Sequence, residues 1–317
     1  MRYEGNLEVL RNLFRKKYLL ERGDGASCEI RPALLVTTGV MRGAYGGGHG
    51  VALDTFGLAH VFDVAIGVST GFPVLAYLLA NQIRRHGDIY WQEAASKQFI
   101  SFSRFVSGRG ALADTNYLCS VFRGSTAREG INERAIQVSR TRLFAGVTCA
   151  KSGEGLFLDA KKVKPDLVEA IHATCAMPGF SAGPVTIDGL SYIDGATALT
   201  FPARKVIEEF APTDLLIFAN RTQFTTKGAV FDQLLSADLL MNFPHAVQKT
   251  HMQRQAQALK ELAYLRFQKS CRYLILWPEG ALGRFTRDSN ALECAARGEQ
   301  KQFESLLADV QSETSTT

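Results

Sequence analysis

The chain has 317 residues, of which 46% are hydrophobic and 21% charged, fractions close to the averages of globular proteins. This composition excludes a collagen-like repeat, a coiled coil and a disordered chain, and at about 150 residues per domain the length allows one or two domains. The 36 basic and 31 acidic side chains give a net charge of +5. That excess is too weak to predict nucleic-acid binding, but it is compatible with an anionic ligand or surface.

The N-terminal residues 1–30 predict a basic amphipathic helix. Its apolar residues fall on one helical face: Leu7, Leu10, Leu13, Phe14 and Leu20. Such a helix caps a domain with its apolar face or, alternatively, lies on an anionic membrane. The segment lacks the apolar core of a secretory signal, and no apolar run reaches the roughly 18 residues that span a bilayer. We therefore expect a cytoplasmic protein, with peripheral membrane contact and export without a cleavable signal left open.

Residues 33–83 predict a βαβα unit. An apolar run at 33–37 predicts a buried strand, and a glycine-rich stretch and a helical pattern follow it. A second strand is predicted at 61–66, ending at Gly67, and an apolar helix at 72–83. Strands that alternate with helices form a parallel sheet with helices on its faces, so the predicted fold class is α/β.

The rest of the chain continues this pattern. Residues 88–140 alternate helical stretches with polar turns and predict a helical insertion. Further strands are predicted at 143–149, 156–159, 192–193, 215–219 and 273–276, and further helices at 166–175, 231–268 and 288–310. We expect an N-terminal segment at 1–30, a core at 31–210, a C-terminal part of the same domain at 211–311 and a flexible tail at 312–317.

Residues 67–71 have the sequence Gly-Val-Ser-Thr-Gly, which matches the G-x-S-x-G pattern of a nucleophile elbow. A predicted strand precedes it and an apolar helix follows, as an elbow requires. The small residues Gly67 and Gly71 allow a strained turn that lifts the hydroxyl of Ser69 clear of the backbone. We therefore predict that Ser69 is a nucleophile. The alternative is an ordinary glycine turn in which Ser69 caps the helix.

A serine nucleophile needs a base, and Asp194 is the first candidate. It follows a short β-like run and precedes Gly195 and Ala196, so its side chain would leave a strand end beside a tight turn. A carboxylate can act as the base when its pKa and position suit. The alternatives are a plain Asp-Gly turn, or a Ser-Asp-His triad that uses His245 or His251.

Residues 38–43, Thr-Gly-Val-Met-Arg-Gly, directly follow the first strand. A loop there places backbone N–H groups beside the end of the next strand, where Ser69 lies, and so predicts an oxyanion hole. Arg42 would anchor the loop or attract an anionic head group. A nucleotide site is disfavoured, because no G-x-G-x-x-G follows the strand in frame and no G-x-x-x-x-G-K-[ST] is present.

Together, in this order, the three elements resemble the patatin-like phospholipase family, in particular its bacterial branch. The family's G-G-G-x-R-G loop, G-x-S-x-G elbow and D-G-G or D-G-A motif are similar to residues 38–43, 67–71 and 194–196. Residues 173–180 resemble its A-S-x-A-x-P-x-x-F segment. The resemblance covers about residues 33–210.

This resemblance implies a three-layer αβα sandwich with a mainly parallel central sheet, related to α/β hydrolases. It also implies an acyl-ester hydrolase in which Ser69 attacks an ester carbonyl and Asp194 takes its proton and then activates water. The implied oxyanion donors are the amides of Gly39, Val40 and Met41, and the motif residues that support the site are Arg42, Gly43, Gly67, Gly71, Gly195 and Ala196. The implied substrates are phospholipids, lysolipids or other acyl esters.

No metal or organic cofactor is expected, because a Ser/Asp dyad needs none and the six cysteines form no CxxC pair. Thr38 and Val40 stand where the family has glycine, and Phe72 stands where it has alanine. These departures leave open an alternative in which the chain is a patatin-like scaffold that binds lipid or a partner with weak or no turnover.

Overall fold

In the computed structural model, which describes residues 1–24, 28–224 and 240–315, nine strands alternate with helices. The strands are β1 (Arg2–Gly5), β2 (Pro32–Val36), β3 (Val64–Val68), β4 (Arg142–Cys149), β5 (Gly155–Asp159), β6 (Val185–Ile187), β7 (Leu190–Asp194), β8 (Asp214–Phe218) and β9 (Arg272–Trp277). The α-helices are α1 (Glu8–Glu21), α2 (Gly43–Thr55), α3 (Gly71–Leu79), α4 (Ile83–His86), α5 (Ile89–Gln92), α6 (Phe102–Val106), α7 (Thr115–Phe122), α8 (Glu133–Val138), α9 (Leu167–Cys175), α10 (Ala203–Phe210), α11 (His245–Phe267) and α12 (Ser289–Ser315). One-turn 3₁₀ helices lie at Val40–Arg42 and Gly195–Thr197.

All nine strands belong to one sheet whose centre is parallel. The strand order is β1-β9-β8-β2-β3-β4-β7-β6, and β5 pairs in addition with β4. The neighbours from β9 to β4 run parallel, whereas β1, β5, β6 and β7 pair antiparallel. The predicted α/β fold class, with a mixed and mainly parallel central sheet, is confirmed.

Helices cover both faces of this sheet. Successive strand residues point to opposite faces, so β2, β3 and β8 contribute alternately to two hydrophobic clusters. One cluster includes residues of α1, α2, α3, α9 and α12, and the other includes residues of α10 and α11. Every residue of β2, β3 and β8 is buried, as in strands that are covered on both sides. The result is a three-layer αβα arrangement, in which no described helix has the length and apolarity to cross a bilayer.

The predicted N-terminal helix is present as α1, and its apolar face is buried. Val9, Leu10 and Leu13 are fully buried in the core cluster, and the side-chain amide of Asn12 donates a 2.9 Å hydrogen bond to Asp214 at the start of β8. The capping interpretation therefore describes this helix. The interpretation in which its leucines lie on a membrane is wrong, because those side chains already contact the core.

Two further predictions are corrected, and a third is covered only in part by the described residues. The helix expected at 72–83 is divided into α3 and α4, because Asn81 adopts a left-handed conformation with a φ of 59°. The tail expected at 312–317 is helical through 315, where Glu313 accepts a 2.6 Å hydrogen bond from Arg11 on α1. The helix expected at 231–268 is observed as α11, while residues 225–239 lie outside the described residues. The strand β1 was not predicted, since its four mostly exposed residues carry no apolar pattern.

Candidate active site

One edge of β4 brings the ends of β3 and β7 together. β5 occupies one edge, where Leu156 pairs with Val147. Along the other edge, β3 pairs as far as Val68 opposite Gly146, and β7 continues from the next position with Asp194 opposite Val147. Ser69 directly follows Val68 and therefore emerges beside Asp194, although 125 positions separate the two in sequence.

Ser69 and Asp194 are in direct contact. The hydroxyl Oγ of Ser69 donates a 2.8 Å hydrogen bond to Oδ2 of Asp194, and the two residues are only 4% and 2% exposed. The second carboxylate oxygen, Oδ1, accepts a 2.7 Å hydrogen bond from the N–H of Ala196. One oxygen is thus held by the backbone turn while the other faces the serine, which is the arrangement that a serine–carboxylate dyad requires.

The turn that carries Ser69 has the strained backbone and the tight backbone packing that are typical of a nucleophile elbow. Ser69 has a φ of 53°, in the left-handed region that non-glycine residues rarely adopt. A Cβ at Gly67 would lie 2.3 Å from Cα of Phe72, and a Cβ at Gly71 would lie 2.2 Å from the carbonyl oxygen of Val36. Both motif glycines are therefore required by the packing of the turn against itself and against β2.

Two supporting residues were not singled out from the sequence, and the first is Thr174 on α9. Its hydroxyl accepts a 2.8 Å hydrogen bond from the N–H of Ser69 and donates to the carbonyl of Gly146 on β4. It thereby fixes the strained turn to the strand that aligns the site. The sequence signal for it is its place in residues 173–180, which resemble the family segment, since a threonine in a helical pattern by itself indicates no such role.

The second is Asn220, which lies just past the end of β8. Its Nδ2 donates to the carbonyl of Thr37 at 2.6 Å, and its Oδ1 accepts from the N–H of Gly46 on α2 at 3.0 Å. It therefore fastens the loop after β2 at both ends. A polar residue that directly follows a buried strand at the carboxyl edge of a parallel sheet is a signal that could have found it.

The loop after β2 differs from the expected oxyanion hole at one position. The amide of Met41 donates a 3.2 Å hydrogen bond to the carbonyl of Arg284, so it is occupied in this conformation. Within the described part of the chain, the amides of Gly39 and Val40 have no hydrogen-bond acceptor. Nε of Arg42 donates to the carbonyl of Gly39 at 3.3 Å, so this arginine anchors the loop, one of the two roles expected of it.

Val40 stores strain in this loop. Its φ is 54°, and a left-handed conformation costs an L-residue about 1–2 kcal/mol. Gly43, the last glycine of the motif, is required for a different reason, because a Cβ there would lie 2.1 Å from Oγ1 of Thr70. Packing at Gly43 thus holds the loop close to the elbow. Val40 is the strained residue of this loop.

Burial raises the pKa of Asp194 from 3.8 to about 7. The hydrogen bonds from Ala196 and Ser69 and the positive charge of Arg284 oppose this increase, but desolvation of the carboxylate outweighs them. A carboxyl with a pKa near neutrality can both accept and return a proton, which suits a general base.

The histidines proposed for a triad lie near the start of α11, and His251 lines the pocket that also includes Asp194. His245 is exposed at the first residue of α11, and Nδ1 of His251 lies 3.4 Å from Oγ1 of Thr197. The Ser69 hydroxyl meets Asp194 with no group between them. In the described residues, no cluster of His, Cys, Asp and Glu side chains has the geometry of a metal site.

Two pockets meet at Val40 and Met177, one on each side of the dyad. The first has a volume of about 490 Å³ with its mouth, includes Ser69 and is mostly apolar. Its apolar wall comes largely from the helical insertion: Ile89, Tyr90, Ala94, Phe99, Leu118 and Phe122. The second has about 690 Å³ with its mouth, includes Asp194 and is more polar.

Comparisons with known proteins gave the following similarities. Residues 35–207, more than half of the chain, match the family model of patatin-like phospholipase. The chain is similar to Uncharacterized protein YjjU of Escherichia coli (strain K12), at 25% identity over 205 residues, and this match covers 62% of the chain and 55% of that relative. The chain thus spans about half the length of this curated relative. A search of solved structures matched VipD from Legionella pneumophila, with a TM-score of 0.45 and 10% sequence identity over 88% of this chain and 67% of that one.

The raised pKa of Asp194 predicts that the free energy of unfolding depends on pH. The unfolded carboxyl ionises near 3.8, whereas the folded state holds the proton to about 7. Between these values the folded state binds more protons, so wild-type stability falls as pH rises through this window, by up to about 4 kcal/mol. We therefore expect Asp194→Asn to stabilise the fold at about pH 8 far more than at about pH 5, since asparagine has no charge to desolvate.

Urea unfolding of both proteins at the two pH values measures this difference. Asp309→Asn, which makes the same substitution at an exposed position, is the matched control. An Asp194→Asn effect of equal size at both pH values would contradict the assignment of a raised pKa.

Proposed function

Since the chain belongs to the patatin-like phospholipase family, we propose that it is a serine acyl-ester hydrolase that acts on lipids. The observation that carries this proposal is the 2.8 Å hydrogen bond from the buried Ser69 hydroxyl to the Asp194 carboxylate. Both residues fall inside the segment that matches the family. The implied substrates are phospholipids, lysolipids or other acyl esters.

In the proposed acylation step, Oγ of Ser69 attacks the ester carbonyl carbon while its proton passes to Oδ2 of Asp194. The carbonyl oxygen gains the electron pair and accepts hydrogen bonds from the amides of Gly39 and Val40. The N-terminus of α3, directly after the elbow, adds a favourable dipole. When the tetrahedral intermediate collapses, the bond to the alcohol breaks and the alcohol takes the proton from Asp194.

Deacylation repeats these roles with water. Asp194 removes a proton from a water molecule as its oxygen attacks the acyl carbon, and the same amides hold the oxyanion. The bond to Oγ of Ser69 then breaks, Ser69 recovers a proton from Asp194 and the fatty acid leaves. A pKa near 7 allows one carboxyl to accept and return a proton in each half of the cycle.

The dyad is tested by substitution. We expect Ser69→Ala and Asp194→Asn each to lower kcat for p-nitrophenyl butyrate by about 10³-fold or more, because each removes a group that acts on the reacting atoms. A fluorophosphonate probe should label the wild type and not Ser69→Ala. His245→Gln and His251→Gln are the controls for the triad alternative, and their activity is expected to persist. Full activity in Ser69→Ala would overturn the proposal.

The apolar pocket beside Ser69 suits an acyl chain. Its exposed surface is almost entirely apolar, and the helical insertion supplies most of its lining. The transfer of a hydrocarbon chain into such a space contributes about 0.8 kcal/mol for each buried CH₂ group. Chain-length preference should therefore depend on the depth of this pocket.

Ala94 offers a way to shorten the pocket. Leucine there would fill space that a longer chain needs, so we expect Ala94→Leu to shift the optimum of a p-nitrophenyl ester series from longer to shorter chains while acetate turnover changes little. Ala127→Leu is the matched control, at an exposed position of the same insertion. An unchanged chain-length profile in Ala94→Leu would exclude this pocket as the acyl site.

A second candidate function is binding of lipid or a partner with weak or no turnover. The observation that favours it is the loop after β2, in which the amide of Met41 is occupied by Arg284 and Val40 is strained. The fluorophosphonate experiment separates the two candidates. A wild-type protein that binds lipid but does not react with the probe would support the second.

Peripheral contact with an anionic membrane is proposed at a different surface from α1. Phe102 and Val106 on α6 are 50% and 84% exposed. The ring of Phe102 lies 6.3 Å from that of Phe285, which lines the mouth of the polar pocket. The exposed Lys97 and Arg109 flank α6 in sequence and supply positive charge. An apolar surface with basic neighbours at a pocket mouth is suited to the face of a lipid bilayer.

Co-sedimentation with phosphatidylglycerol vesicles tests this surface. We expect the wild type to bind at low salt, and Phe102→Ser with Val106→Ser to bind about tenfold more weakly, because two inserted apolar side chains are removed. Phe267→Ser is the control, since Phe267 is also exposed but lies at the opposite end of α11 from the pocket. Equal binding of the double variant would rule out α6 as the contact.

A further inference from the structure

The hydroxyl of Tyr90 lies where three parts of the site meet. It donates a 2.7 Å hydrogen bond to the carbonyl of Thr70 and accepts a 2.8 Å hydrogen bond from Oγ1 of the same residue. Thr70 directly follows Ser69 in the elbow. A Cβ at Gly43 would lie 2.5 Å from the hydroxyl oxygen of Tyr90, so the loop after β2 also passes closely beside it. One side chain of the helical insertion thus bonds to the elbow and adjoins this loop.

Tyr90 is held firmly within the insertion. It is the second residue of α5 and is only 6% exposed. Asp88 directly precedes α5, and its carboxylate accepts a 2.7 Å hydrogen bond from Nη1 of Arg128, which anchors the start of this helix. Burial raises the pKa of Tyr90, so its hydroxyl keeps its proton at neutral pH. The donor to Thr70 is therefore both fixed in position and always protonated there.

The peptide groups around Ser69 are bonded on both sides. The N–H of Ser69 donates to Oγ1 of Thr174, and the carbonyl of Ser69 accepts from the N–H of Phe72. The carbonyl of the next residue, Thr70, accepts from Tyr90. Thr174 therefore holds the N-terminal side of the turn, and Tyr90 holds its C-terminal side.

These bonds act on a strained residue. Ser69 has a φ of 53°, and a residue keeps such a conformation only where the surrounding structure opposes its relaxation. Relaxation of the turn would move Oγ of Ser69 from its position 2.8 Å from Oδ2 of Asp194. A displacement of about 1 Å at a reacting group can lower a rate about 100-fold. The contacts that hold the elbow therefore matter for the reaction as well as for the fold.

We propose that Tyr90 is a positioning residue for the nucleophile, which acts through the carbonyl and the hydroxyl of Thr70 to keep Ser69 on Asp194. This inference rests on the proposed function, because it assigns a role in the same reaction. Tyr90 takes no part in the proton transfers. Its ring lines the apolar pocket, so the same residue links the wall of that pocket to the elbow.

Tyr90→Phe tests this role, because it removes the hydroxyl and keeps the ring. We expect kcat for p-nitrophenyl butyrate, counted per site that a fluorophosphonate probe titrates to completion, to fall about tenfold. KM should change little, since the ring that lines the pocket remains. Tyr117→Phe is the matched control, because this hydroxyl of the same insertion donates to Glu93 instead of the elbow, and its kcat should persist.

The pH profile separates positioning from a general loss of stability. The hydrogen bond from Ser69 acts to lower the pKa of Asp194, so its loss would raise this pKa further. Asp194 must be unprotonated to accept the serine proton, and the acidic limb of kcat/KM should therefore shift to higher pH in Tyr90→Phe. Arg284 and Cys175 also act on this carboxyl, and both are the same in the two proteins. A variant that was merely less stable would lose titratable sites and keep the wild-type limb.

A pair of variants at Thr70 covers the case in which Tyr90→Phe fails to fold. Thr70→Val removes the hydroxyl that bonds to Tyr90, whereas Thr70→Ser keeps it, so kcat should fall in the first and largely persist in the second.

An unchanged kcat or an unshifted limb in folded Tyr90→Phe would overturn this inference alone. If that variant does not fold, equal kcat in the two Thr70 variants would overturn it. A wild type that hydrolyses no ester and does not react with the probe would instead overturn the proposed function.

Discussion

The pairing of β4 is the constraint on which the rest of the site depends. One edge of this strand is shared end to end by β3 and β7, with Val68 opposite Gly146 and Asp194 opposite Val147. Because strand register fixes the position of every residue along an edge, a shift of one residue would turn the side chain of Asp194 to the other face of the sheet. Thr174 bonds both to this strand and to the turn of Ser69, and so couples the register to the position of Ser69.

The site is built at a cost to local stability. Asp194 is a buried carboxyl that favours its neutral form, and Ser69 and Val40 have left-handed backbones. Strain of this kind persists where the surrounding structure determines the conformation more strongly than the residue opposes it. Here that surrounding structure is a sheet whose central strands are buried on both faces, together with the hydrogen bonds of Thr174 and Asn220. The rigid centre of the fold thus supports an unfavourable arrangement at its edge.

The two pockets are lined by different parts of the chain. The helical insertion between β3 and β4 encloses the apolar pocket, while segments after β8 and β9 complete the polar one. The dyad lies between them on the segment that matches the family. Under the proposed function, substrate preference would be set by segments that contribute no reacting group, since connections at the strand ends vary more freely than the sheet.

The sequence by itself determined the α/β class and most strands and helices, because buried parallel strands are continuous apolar runs such as residues 215–219. It also indicated Ser69 and Asp194, because an elbow and an Asp-Gly turn each have a local chemical reason. The sequence did not indicate β1 or the occupied amide of Met41, because each depends on a partner that is distant in sequence. It did not indicate the division of the helix at Asn81, because that depends on the backbone conformation of this residue. Only the tertiary structure decided that the leucines of α1 are core residues, that Asp194 has a pKa near 7 and that the hydroxyl of Tyr90 bonds to the elbow. Burial and proximity are properties of the packed chain, and no local pattern contains them.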